Sequence, residues 1–256
     1  MGAAVGAALR AGDEPVLWAS AGRSAATRDR AAEADLSDAG DVAELCRRCD
    51  LLISVCPPHA ALDVARSVAG FPGIYVDANA VSAATARSIG AQVARFVDGG
   101  IVGPPPHDPG TTRLYLAGAE APVVAGLFAG TTLDTRVVSE VPGAASALKL
   151  AYASWTKGSA ALLLAAHALA QAEGVEEALL DEWRLSLPEL LDRSPAAARS
   201  ALGKGWRWVG EMDEIASSYA AVGLPDGFHH AAAEIFRRAS EAGRVDAVLD
   251  AIRGAG

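Results

Sequence analysis

Pro142-Gly143-Ala-Ala-Ser-Ala-Leu-Lys149-Leu-Ala-Tyr152-Ala-Ser-Trp-Thr156-Lys157-Gly158 divides the chain between two kinds of pattern. Before it, short apolar runs alternate with helical segments. After it, strand signals stop. From Ala144 to Glu173 no proline interrupts a run rich in Ala and Leu, which predicts one helix of about thirty residues. That helix is apolar around most of its circumference, so it needs cover on every side. The helical half holds only about 115 residues, so part of the cover is expected from a second copy, making a homodimer. The stretch also carries two of the chain's three lysines, against nineteen arginines. Arginine cannot give up its proton in a protein, whereas a desolvated lysine can, which makes Lys149 a candidate acid/base.

Working outward, strands are expected at 15–19, 51–56, 74–77, 95–98, 113–117 and 135–138, with helices at 25–34, 41–48, 59–69, 82–90 and 121–128. The run Leu51-Leu-Ile-Ser-Val-Cys56 is continuously apolar, as in a strand buried on both faces. This rhythm specifies an open, mostly parallel sheet covered by helices, an α/β Rossmann-like domain over residues 1–140. Residues 141–256 read as an all-α domain. After the long helix, shorter ones are expected at 175–187, 188–192, 196–202, 207–222, 225–242 and 244–252. Gly174, Gly203, Gly205, Gly223 and Gly243 would mark their ends.

Composition narrows the partners. A net charge of −9 without any Lys/Arg block argues against nucleic acid. No apolar run is long enough to span a bilayer, and the start lacks the pattern of a secretory leader, so a cytoplasmic protein is expected. Cys46, Cys49 and Cys56 are odd in number and have no second metal-type pair, so they read as reduced thiols and no metal is expected. Trp183, Trp206 and Trp208 read as anchors of helix packing or of a dimer face. His229 and His230 are adjacent on a helix and diverge, so at most one would face a cleft.

The first residues, Gly2-Ala-Ala-Val-Gly6-Ala-Ala-Leu9, resemble the last glycine of a Gly-x-Gly-x-x-Gly turn and the helix that holds a dinucleotide pyrophosphate at its N-terminus. The preceding strand and the first two glycines are missing. Two explanations stay open, a start further upstream or a fold that does without that strand. After the expected strand at 15–19 comes Ser20-Ala-Gly22-Arg23-Ser24. No acid stands there to bind a ribose diol, and Arg23 with Ser20 and Ser24 suits a 2′-phosphate, which favours NADP over NAD. The alternative is a solvated loop.

Three further segments follow in order: Ser54-Val-Cys56-Pro57-Pro58-His59, Asp77-Ala-Asn79-Ala-Val-Ser82, and Asp98-Gly99-Gly100-Ile-Val102-Gly103-Pro104-Pro105-Pro106. Together with the Gly143…Lys149 helix, this order resembles the β-hydroxyacid dehydrogenase family, which includes 6-phosphogluconate and 3-hydroxyisobutyrate dehydrogenases. It is closest to a branch of bacterial NAD(P)-dependent oxidoreductases with a distinctive helical C-terminal domain. The resemblance implies that Lys149 shuttles the hydroxyl proton while hydride passes to the nicotinamide. It implies that Gly2, Cys56, Pro57 and Asn79 line the cofactor, and that Gly99, Gly100, Val102 and Gly103 form a loop whose backbone N–H groups meet a substrate carboxylate.

The chain also departs from the family pattern. Tyr152 and Ala153 stand where an asparagine usually follows the lysine, so Tyr152 is expected either to share proton duty or only to pack. Val102 replaces a frequent serine, and Pro104 to Pro106 donate no hydrogen bonds, which points to an altered substrate. The function expected is NADP-dependent oxidation or reduction of a β-hydroxy acid or related alcohol–carbonyl couple. The rival is a catalytically silent dimeric scaffold or ligand sensor that keeps the fold.

Overall fold

The alternation of apolar runs and helices in the first half produces a five-stranded mixed sheet beside a detached strand pair. The structure, a computed structural model, describes residues 1–10 and 15–254; Gly12, which follows the expected first helix, lies outside them. In chain order the elements are α1 (Gly2–Arg10), β1 (Leu17–Trp18), α2 (Ala25–Glu33), β2 (Ser37–Asp38), α3 (Val42–Arg48), β3 (Leu51–Ser54), α4 (Ala61–Ser67), β4 (Ile74–Asp77), α5 (Ala83–Gly90), β5 (Arg95–Val102), β6 (Thr112–Ala117), α6 (Ala121–Leu127), β7 (Leu133–Ser139) and α7 (Ala144–Ala172). Then follow α8 (Glu176–Ser186), α9 (Leu190–Ala221), α10 (Gly227–Ser240) and α11 (Val248–Arg253). Two units divide the chain, Met1–Lys149 and Leu150–Gly256, with the division inside α7.

In the first unit the sheet order is β3-β4-β5-β6-β7, and β1 pairs only with β2. Strands β3, β4 and β5 run parallel, β6 is antiparallel to β5, and β7 is parallel to β6. Strand pairing is thus mostly parallel, as expected, with β5–β6 the antiparallel exception, while β1 and β2 stand apart as a separate pair. β2 was not expected at all, since two exposed polar residues carry no periodic signal. Side chains alternate across the sheet as strand geometry requires. Ile74 and Val76 face a core shared with α1 and α6, while Tyr75 faces the core under α4 and α5. No strand precedes α1 among the described residues. The helix instead bridges the two sheets: a Cβ on Gly6 would meet Leu36 and Val16, and one on Gly2 would lie 3.6 Å from Val55.

In the second unit α7, α9, α10 and α11 share one core that includes Leu164, Ala201, Met212, Ile215 and Phe236. The three short helices expected between 188 and 222 are corrected to the single helix α9, which runs through Pro195, Gly203 and Gly205. Its buried residues Ala198, Ala201, Gly205, Met212, Ile215 and Ala216 recur at helical spacing. One continuous packed face thus outweighs local breakers, because tertiary burial supplies most of a helix's stability. Gly205 is there for close approach: an added Cβ would sit 2.7 Å from the Phe236 carbonyl oxygen. Around Gly203 and Gly210 nothing lies within 4 Å. Among the described residues no helix is long and apolar enough to cross a membrane.

These two kinds of glycine should respond oppositely to alanine. Gly203→Ala and Gly210→Ala should each stabilise the chain by up to about 1 kcal/mol through helix propensity. Gly205→Ala should destabilise it, because backbone must move to admit the methyl group. Thermal unfolding of the three variants reads the sign directly.

Candidate active site

The site is built at the carboxyl ends of β3, β4 and β5, where open α/β sheets bind ligands. β5 fixes the position of α7. The Asp98 carboxylate accepts hydrogen bonds from the backbone N–H groups of Gly143 (2.8 Å), Ala145 (2.9 Å) and Ser146 (3.1 Å), and from the Ser146 hydroxyl (2.5 Å). It therefore serves as a remote N-cap, satisfying orphan donors at the positive end of the helix dipole. Burial raises the Asp98 pKa, and the four donors oppose that rise.

Two residues further along the strand, a side chain would collide with the helix. A Cβ on Gly100 would lie 2.7 Å from the Ala145 carbonyl oxygen and 2.9 Å from the Lys149 Cβ. Glycine at 100 lets the first turn of α7 rest on β5 with half-buried Lys149 directly against the strand. The expected loop from Asp98 to Gly103 is corrected here. Gly99, Gly100 and Val102 belong to β5, paired in register with Leu116, Tyr115 and Arg113 of β6. Only Gly103 is a turn residue, at φ 122°. β4 ends opposite Asp98.

Asn79 ties the ends of β3 and β4 together. Its side chain accepts from the Cys56 backbone N–H (2.5 Å) and donates to the Ser54 hydroxyl (3.1 Å) and to Asp77 (2.7 Å), while its own backbone N–H also donates to Asp77 (3.1 Å). Asp77 is fully buried, and burial pushes its pKa up to about 6 despite those bonds, with buried Asp98 on the next strand adding to the rise. Neither carboxylate was singled out as a structural group from sequence; the signal was an acid ending each of two consecutive apolar strands.

The expected cofactor residues converge on the same edge. Gly2, at the start of α1, lies beside Val55, and Cys56 leads into Pro57, which caps a 3-10 turn over Pro58–Ala60. Burial raises the Cys56 thiol pKa, and the positive charge of Arg23 lowers it, so Arg23 is within electrostatic reach. Arg23 and Ser24 are exposed, after a turn with Gly22 at φ 71°. An acid does stand nearby: Asp38, on β2 in register with Trp18, has its pKa lowered first by the Gly40 backbone N–H and then by the Ser20 hydroxyl. Ser20 is thus already engaged, and the Ser24 hydroxyl lies 3.1 Å from that of Thr27, while Arg23 is exposed.

The other candidates fall in the second unit. Lys157 forms a largely buried ion pair with Glu211 and lies 5.7 Å from the centre of the Trp208 ring. Burial lowers its pKa and Glu211 opposes this. Tyr152 and Trp206 are exposed, while Trp183 is buried. His229 is buried too, its Nε2 3.4 Å from the Ser154 hydroxyl, which lies 2.7 Å from that of Tyr219. Sequence spacing gave no hint of this trio. Cys46, Cys49 and Cys56 are free thiols.

Asp77 makes stability depend on pH in a defined direction. Its folded pKa lies above the unfolded value of 3.8, so its contribution is complete at low pH and is lost as pH rises through about 6. Between about pH 4 and pH 7 the wild type should lose about 2 kcal/mol relative to Asp77→Asn. Urea unfolding of both proteins across that range gives the difference. A flat difference would contradict the assignment.

Comparison with known proteins places this architecture. Residues 170–239 match a family described as a domain of unknown function, DUF1932. An uncharacterized 28.5 kDa protein of Methanothermus fervidus is 30% identical over 163 residues, spanning 62% of this chain and 63% of that protein. The solved structure of MTH1747, a conserved protein of unknown function described as structurally similar to 3-hydroxyacid dehydrogenases, is 26% identical with a TM-score of 0.69, covering 94% of this chain and 95% of the other. A 3-hydroxyisobutyrate dehydrogenase from Salmonella typhimurium superposes with a TM-score of 0.67 at 20% identity, over 97% and 94% of the two chains. A reductive aminase from Aspergillus terreus, in complex with NADPH and ethyl levulinate, does so with a TM-score of 0.56 at 20% identity over 97% and 94%. At 20% identity these last two share the fold alone.

Proposed function

Since the chain shares its fold with a protein described as structurally similar to 3-hydroxyacid dehydrogenases, we propose that it is a nicotinamide-dependent oxidoreductase. In this reading it uses NADP and interconverts a β-hydroxy acid, or a related alcohol, with its carbonyl form. The observation that carries the reading is the anchorage of Lys149. Asp98 caps α7 and Gly100 admits it, so the only lysine of the first unit stands against β5, where that strand runs past the end of β4.

The residues available fit a dinucleotide. The N-terminus of α1 beside Val55 offers positive dipole and N–H groups to a pyrophosphate, and Gly2 brings no side chain into that space. Exposed Arg23 and Ser24 would take the 2′-phosphate as charge-assisted hydrogen bonds. Cys56, Pro57 and Asn79 would line the nicotinamide half, with Asn79 holding the turn in shape. The bound cofactor supplies hydride transfer. Lys149, as the neutral amine, takes the hydroxyl proton in oxidation and returns it in reduction. Tyr152, three residues on along α7, would share that proton through its hydroxyl. Backbone N–H groups among Gly99, Gly100, Val102 and Gly103 would orient a substrate carboxylate or carbonyl. The protein works in the cytoplasm as a homodimer.

Lys149→Ala and Lys149→Arg should each lower turnover by at least about 100-fold, the scale of one positioned proton transfer, while leaving NADPH binding within about twofold. A loss below threefold in both variants would remove Lys149 from the chemistry. In calorimetry NADPH should bind more tightly than NADH, and Arg23→Ala should weaken NADPH by about tenfold or more, the scale of a lost charged hydrogen bond, with NADH unchanged. If neither nucleotide binds, the silent scaffold or sensor becomes the better reading.

A further inference from the structure

Four residues at the ends of β3 and β4 form a closed set of donors and acceptors. The Asn79 amide oxygen accepts from the Cys56 backbone N–H at 2.5 Å. The amide nitrogen donates to the Ser54 hydroxyl at 3.1 Å and to Asp77 Oδ2 at 2.7 Å, and the Asn79 backbone N–H donates to Asp77 Oδ1 at 3.1 Å. Ser54, Asp77 and Asn79 are all buried. The two ends of an amide have nearly the same shape, so hydrogen bonding alone decides which of them faces Cys56. An ionised carboxylate is acceptor-only, and here both of its oxygens meet donors of Asn79. It thereby draws the amide nitrogen to itself and leaves the carbonyl for Cys56. A protonated Asp77 is a weaker acceptor and needs an acceptor for its own proton. The Asn79 side chain supplies one only by turning over, which sets its nitrogen against the Cys56 N–H, donor against donor.

We propose that Asp77 is a positioning residue for the nucleotide: as the carboxylate it fixes the Asn79 amide and, through it, holds the Cys56–Pro57 turn in the form that receives the nicotinamide half of the cofactor. The inference rests on the nucleotide site of the proposed function and names the group that sets its shape. The turn offers no second handle. Pro57 and Pro58 have no N–H, so in the run Cys56-Pro57-Pro58 the Cys56 N–H is the one backbone donor, and Asn79 takes it. Three titratable groups surround Asp77: Asp98, its register partner on β5, Tyr75 on its own strand, and the Cys56 thiol. Burial raises the Asp77 pKa to about 6, against the Asn79 bonds, and the Asp98 charge adds to the rise. Burial also raises the Cys56 thiol and the Tyr75 hydroxyl, and the Asp77 charge adds to both, so these two stay neutral where Asp77 changes state. The turn is therefore set above about pH 6 and released below it.

The chain's three cysteines allow the turn to be followed without any nucleotide. Protein labelled with nitrogen-15 in cysteine alone gives three backbone amide signals, and that of Cys56 is the one absent from Cys56→Ser. Between pH 5 and pH 8 it should shift in the wild type with a midpoint near 6. The shift should vanish in Asp77→Asn, and most of it should vanish in Asn79→Ala, where the carboxylate remains but the relay is gone. Calorimetry then reads the consequence for binding. The 2′-phosphate of NADPH ionises near the same pH, so the two proteins are compared by the ratio of their affinities, in which that effect cancels. Wild type should bind NADPH about tenfold more tightly than Asp77→Asn at pH 8 and within about twofold of it at pH 5, where about nine-tenths of Asp77 is protonated. A Cys56 signal that stays still in the wild type overturns the positioning role. Binding of NADPH with a constant ratio refutes the role of Asp77 and spares the nucleotide site. If neither protein binds NADPH at any pH, the nucleotide site itself is refuted, and this inference with it.

Discussion

The Asp98 carboxylate at the start of α7 is the constraint from which the first unit takes its functional geometry. A helix N-terminus leaves backbone donors unsatisfied, and here they are met by a side chain from the sheet rather than by a residue of the helix's own turn. The cap ties the translation of α7 to β5, and Gly100 sets how closely the two can approach. Lys149 follows from that pairing, since it is the next residue of the helix to meet the strand. An acidic residue two positions before a glycine thus fixes where an amine stands.

The turns at the ends of β3 and β4 use a similar economy of groups. Asn79 spends both amide donors and its carbonyl on Ser54, Asp77 and Cys56, which leaves the surface of that edge to be shaped by backbone and by Gly2, Cys56 and Pro57. The detached β1–β2 pair hangs on α1, through Gly6 against Val16 and Leu36. This brings Arg23 toward Cys56 without a strand hydrogen-bonded between the two sheets. Small residues on α1 are therefore packing requirements whether or not a nucleotide is bound.

Much of this was legible in the residues, and the failures have definite causes. Apolar strands buried on both faces, such as Ile74–Asp77, announce themselves by composition. The long helix was equally plain. The family resemblance makes the Asp98–Gly103 run a loop, but antiparallel pairing with β6 carries the strand to Val102. Gly203 and Gly205 read as helix ends, yet the periodic apolar face that continues past them decides the matter. Ion pairs and caps between distant positions, such as Lys157 with Glu211 or Asp98 with Ser146, leave no local signature at all. The excess apolarity of α7 was visible as a property of the helix. Which face stays bare was not, because that depends on where α9 and α10 pack.

The central claim is that a nicotinamide nucleotide binds beside Lys149. Three lysines in the whole chain make that claim directly observable, because a protein labelled only in its lysine side chains gives three amine-end signals by nuclear magnetic resonance. Titration with NADPH should move the Lys149 signal, identified by its absence from Lys149→Arg, and leave that of Lys204 in place. Saturation with NADPH that leaves the Lys149 signal unmoved would contradict the account.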